Sequence, residues 1–137
     1  MDTIKAKMVS IEGIEFSVTE EVLNLFGNFR YMLEGDQSQE VQHILIPKCY
    51  AKFAILDGVM KIANYVVDNQ GTDFHTDKVT EEEKQKVDKT FYPYFMQDLD
   101  LLPKVKKLAS YLGSQKILEV AKLIPILDWE DLKLIKM

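Results

Sequence analysis

The stretch 101–127, LLPKVKKLASYLGSQKILEVAKLIPIL, holds two helical patterns that meet across a single glycine, and the fold turns on that meeting. Val105, Leu108, Ala109 and Leu112 recur at i, i+3, i+4 and i+7, which lines one face of a helix with apolar side chains, while Lys104, Lys106 and Lys107 take the other side. Asp100 is a candidate N-cap, and Pro103 falls in the first turn, where its missing N–H costs little. Gly113 suits the left-handed conformation that ends a helix, and Ser114 can cap the next. The second pattern carries Ile117, Leu118, Ala121, Leu123 and Ile124, and Pro125 interrupts it or closes it. By spacing alone this helical corner is core packing, because apolar stripes at helical period are ordinarily covered by the protein's own elements.

A chain of 137 residues has the size of one domain with a substantial core, and its 47% hydrophobic and 28% charged content is that of a globular protein. No apolar run approaches the roughly 18 residues that a membrane crossing needs. Met1-Asp2-Thr3 leads into a strand pattern without the basic, apolar and small-residue segments of a secretion signal, so the expectation is an intracellular protein, cytoplasmic or nuclear, with no membrane partner. Seventeen basic and 22 acidic residues give a net charge of −5, which would repel a phosphate backbone; nucleic acid is not an expected partner. The lysines within 104–107 and 133–136 read as helix ends and solvated faces. Cys49, alone, excludes an internal disulfide.

Upstream, Ile4, Ala6 and Met8 alternate with Lys5 and Lys7, and Ile14, Phe16 and Val18 repeat the pattern beyond Glu12-Gly13. Two such runs joined by a short glycine link predict an antiparallel hairpin. Thr19 with Glu20 and Glu21 predicts a capped short helix through Val22, Leu23 and Leu25, ended by Gly27, and a second short helical piece follows at 29–33. A third strand is expected at 41–46, with Ile44 and Ile46 facing one way and Pro47 stopping it. Residues 53–67 are helical in length and content, with Gly58 a candidate break. The polar run 68–90 predicts an exposed or disordered linker, within which the capping box Thr80-x-x-Glu83 and the Glu82/Lys86 pair could start an exposed helix. The aromatic cluster 91–96 is expected to pack against the helices. Near the end, Asp128 can cap a final turn in which Trp129, Leu132 and Ile135 fall at spacing three. Trp129 could cover its own core or mark a binding surface.

The segment LASYLGSQKILEV at 108–120, followed by AKL, resembles the corner of the Skp-type (S-phase kinase-associated protein) adaptors of cullin ubiquitin ligases, and elongin C shares its first half. MVSIEGIEFSV at 8–18 is similar to that family's opening hairpin, YMLEGD at 31–36 to the end of its second helix, ILIP at 44–47 to the close of its third strand, and KIANYVVDN at 61–69 to its next helix. The resemblance implies an α+β fold of BTB/POZ type, a small three-stranded sheet packed against a mainly helical bundle. It assigns the domain to 1–127, with 68–90 as a flexible linker inside it and 128–137 as a tail shorter than the family's.

What the resemblance implies about function is adaptor work without catalysis. One surface would dock a cullin scaffold, and the family's Asn-Tyr pair there matches Ser110 and Tyr111, with the tyrosine retained and the asparagine replaced by serine. The apolar face that grips an F-box segment of a substrate receptor matches Leu101, Leu102, Val105, Ile117, Leu118 and Leu123, and Trp129 is a further candidate. An elongin C-like adaptor that binds an elongin-box helix, or a self-associating BTB module forming a homodimer, are the alternatives. The residues themselves offer no chemistry that contradicts this. His43 and His75 have no second ligand at metal spacing, Cys49 has no local nucleophile signature, and the glycines form no phosphate loop, so no cofactor, metal or enzyme activity is expected.

Overall fold

The computed structural model describes residues 4–28, 33–34 and 42–126. β1 (Ile4–Val9) and β2 (Glu15–Thr19) form the antiparallel hairpin that their alternation predicts, in a register setting Met8 against Phe16 and Lys7 against Ser17. Ala6, Met8 and Val18 are buried on its inner face. β4 (Gln42–Ile44), the predicted third strand, lies parallel to β1, and a two-residue β3 (Leu33–Glu34) adds an antiparallel edge. The sheet order is β2-β1-β4-β3. Together with the helices this is an α+β fold, a small sheet packed against a mainly helical bundle.

Thr19 caps α1 (Glu20–Leu23), its hydroxyl accepting from the Val22 N–H at 3.3 Å, but the helix ends at Leu23 rather than Gly27. The helical piece expected at 29–33 lies outside the described residues except for Leu33, which begins β3. α2 (Phe53–Asp68) runs unbroken through Gly58 and buries Ile55, Leu56, Val59, Ile62, Ala63 and Val66. Gly58 is a contact, not a break. A Cβ there would lie 2.7 Å from Val105 Cγ2, so the missing side chain lets α2 approach α4 (Leu101–Leu112) closely.

The segment 68–90 is not the flexible linker expected of it. Phe74, Val79 and Val87 are buried, and Tyr65 meets Phe74 at 5.8 Å and Phe91 edge-on at 5.3 Å. Three isolated apolar residues suffice to dock a polar run when each reaches a prepared aromatic or aliphatic site. The capping box forms as read: the Glu83 N–H donates to Thr80 Oγ1 at 3.1 Å and the Thr80 N–H to Glu83 Oε1 at 2.9 Å. It starts α3 (Glu81–Phe95), which is far longer than a marginal exposed helix because it absorbs the aromatic cluster and buries Phe91 and Phe95.

Asp100 does not cap α4. Its backbone is already helical and its side chain makes no capping bond, whereas the Asp98 carboxylate accepts from the Asp100 N–H at 3.0 Å and the Asp98 carbonyl from the Leu101 N–H at 3.1 Å. The other end matches expectation. Gly113 has φ 73°, and the Ser114 N–H donates to the Ala109 carbonyl at 3.0 Å, a left-handed helix stop. The Ser114 hydroxyl then accepts from the Ile117 N–H at 3.3 Å and starts α5 (Gln115–Leu123).

Candidate protein-interaction surface

The carbonyls that end α4 are covered by the chain that follows α1. The Asn28 N–H donates to the Leu112 carbonyl at 3.1 Å, the Asn28 side-chain amide to the Tyr111 carbonyl at 3.1 Å, and the Gly27 N–H to the Gly113 carbonyl at 3.2 Å. These bonds satisfy acceptors that a helix end leaves orphaned, and they fix the corner against the amino-terminal half. Tyr111 is half-buried and its hydroxyl donates to the Leu45 carbonyl at 3.1 Å, just beyond β4. Ser110 is exposed beside it, and the Leu45 side chain is 54% exposed. Tyr111 and Leu45, from two distant segments, are thereby linked, and Ser110 is the exposed residue before Tyr111 on α4. Leu45 and Asn28 were not singled out from the sequence, although strand alternation that turns Ile44 and Ile46 inward sends Leu45 out.

The expected receptor face fares differently. Leu101, Leu102, Val105 and Ile117 are buried in the common core, their stripe covered by α2 and by α5 itself. Each such side chain stabilises the fold by about 1.5–3 kcal/mol through its own burial. Offering it to a partner would forfeit that contribution, so these four are corrected to core residues. Leu118 and Leu123 are half-buried at the edge of the core and retain surface. Trp129 and the expected final turn at 128–137 lie outside the described residues.

Polar chemistry is sparse. Among the described residues no group of three or more His, Cys, Asp or Glu side chains could hold a metal ion. His43 and Cys49 are exposed, and His75 is occupied locally, its Nδ1 accepting from the Asp77 N–H at 3.2 Å. The Tyr94 hydroxyl donates to Asp57 Oδ2 at 2.7 Å while Lys61 lies 3.8 Å from the same oxygen and 5.3 Å from the Tyr94 ring centre. Desolvation, reinforced by that carboxylate, pushes the phenol well above the usual tyrosine range, which keeps it a proton donor rather than a base. A shallow groove of about 400 Å³ between α1 and the end of α2 is lined by Asn24, Leu25, Val66, Gln70 and Lys116, among others. Glu21 and Thr72 also line it, and among the described residues no hydrogen bond or ion pair joins the Glu21, Thr72 and Lys116 side chains to one another. No described helix is long and apolar enough to cross a membrane. No protein-family model matches the chain, and no curated protein matches it in sequence.

Proposed function

We propose that this protein is a non-catalytic, Skp-like adaptor that holds a cullin scaffold and an F-box-type substrate receptor on one domain. The observation that carries the reading is the Ser110–Tyr111 surface: the two positions resembling the family's cullin contact stand together at the protein's exterior, with Tyr111 braced by the Leu45 carbonyl and Leu45 adding apolar area. The receptor takes Leu118 and Leu123, with Trp129 as a further candidate, while Leu101, Leu102, Val105 and Ile117 hold the helix that carries Leu118 and Leu123. An adaptor needs no acid, base or metal. It works by raising the local concentration of one partner beside the other. Such a protein belongs in the cytoplasm or nucleus, where cullin ligases act.

Calorimetry of the purified protein against a cullin scaffold tests this. Tyr111→Ala should weaken binding by about tenfold or more, and Ser110→Asn, which restores the family's amide, should strengthen it, a gain that misfolding cannot mimic. Leu118→Asp should lose the receptor and keep the cullin. Failure of the unaltered protein to bind a cullin, or unchanged affinity in folded Tyr111→Ala, would refute the assignment. A self-associating BTB module is the second reading, favoured by Leu45 and Leu99, which leave more than half of their surface in solvent. Sedimentation across a concentration series separates the two.

A further inference from the structure

β2 is an edge strand: β1 flanks it on one side and no strand flanks it on the other among the described residues. The Ser10 N–H donates to the Ile14 carbonyl at 2.9 Å, which marks that pair as hydrogen-bonded. Bonded and non-bonded pairs alternate along an antiparallel ladder, so Met8 with Phe16 and Ala6 with Val18 are bonded, and Val9 with Glu15 and Lys7 with Ser17 are not. The backbone N–H and C=O groups of Glu15 and Ser17 therefore point away from β1, and both residues are exposed. Beside them lies apolar surface: Ile14 is 44% exposed, and Phe53, 38% exposed, stacks on Phe16 at 5.5 Å between ring centres. At the far end of the strand, Glu20 and Glu21 face solvent.

We propose that the β2 edge captures an extended segment of another protein, apolar at alternate positions and basic at the end that passes Glu20 and Glu21. Main-chain bonds to Glu15 and Ser17 would hold it in register, alternate side chains would lie on the Phe16–Phe53 shelf, and a lysine or arginine would meet the two glutamates. A second copy of this chain fits poorly. Antiparallel pairing of two β2 strands about Ser17 would set Glu15 of one copy against Thr19 of the other, one residue from Glu20, and so crowd carboxylates at both ends, a repulsion that the Lys7–Glu15 ion pair at 3.4 Å offsets only in part. This inference needs no ligase partner and stands apart from the adaptor reading.

Fluorescence anisotropy with the whole protein and a labelled peptide alternating valine with lysine is the test, beside the same peptide N-methylated at alternate amides. Ser17→Pro deletes one outward N–H and no bond to β1, a substitution that an edge strand tolerates. Saturable binding is expected, with a loss of about tenfold on Ser17→Pro or on N-methylation, retention in Ser17→Ala, and weakening in Glu20→Lys. Should Ser17→Pro fail to fold, the N-methylated peptide on the unaltered protein decides alone. No binding, equal binding of the N-methylated peptide, or a protein dimer that Ser17→Pro disperses would overturn the proposal.

Discussion

Glu12 caps a helix 41 residues away from it in the chain. At the entry to α2 the N-cap position is Lys52, whose side chain makes no capping bond, and the Phe53 N–H donates instead to both Glu12 carboxylate oxygens, at 3.0 and 3.2 Å. Desolvation works to raise the Glu12 pKa, but the backbone donors of Glu12 and Phe53, the Ser10 hydroxyl and the Lys52 charge together hold it below the ordinary glutamate range. A carboxyl whose folded pKa is depressed contributes stability above its unfolded pKa and loses it as pH falls through the folded value. Glu12→Gln should therefore flatten the acid limb of the melting temperature against pH, in the window just below the ordinary carboxylate range, while leaving the alkaline limb unchanged. An acid limb as steep as that of the unaltered protein would show that the contact does not survive in solution. This cap was not legible in the sequence, since capping is read from neighbours in the chain and Glu12 is a neighbour only in space. Thr19, Thr80 and Ser114 were legible because each caps within three residues of itself.

Among elements, the α2–α4 pair sets the spacing of the bundle. Replacing Gly58 by alanine would gain about 1 kcal/mol of helix propensity. Against that, the new methyl must displace the Val105 side chain, and overpacking of this kind costs about 1–3 kcal/mol. The second effect wins, so Gly58→Ala should lower stability in urea titrations. Val105→Ala removes the obstructing methyl groups, and in that background Gly58→Ala should become neutral or stabilising, a coupling of about 1 kcal/mol or more in a double-mutant cycle. Strict additivity would mean that the helices do not meet there. The helices themselves were readable from period and caps, but what covers each stripe was not. Val105 and Ile117 share their spacing with a docking face, and periodicity reports that a side is apolar without naming the surface against it. The sheet order was likewise beyond reach, because β1 and β4 pair in parallel across a long connection that leaves no turn signature.

At the scale of the molecule, one apolar cluster runs from Ala6 and Met8 in the sheet through α2 and α4 to Ile124 and Ile126. Urea unfolding followed by far-ultraviolet and near-ultraviolet circular dichroism should give coincident transitions, and protease cleavage within 69–80 should track that same transition, since Phe74 and Val79 belong to the cluster. Cleavage at urea concentrations where both spectra remain native would separate this segment from the body. The burial of α2 beneath α4 also governs how the chain is made. During translation the 16-residue α2 leaves the ribosome well before α4, which packs on it around Gly58 and Val105 and is encoded a further thirty or so residues downstream, a delay of a few seconds at about 5–20 residues per second. Until those codons are read, the apolar side of α2 that α4 packs against has no cover from that helix.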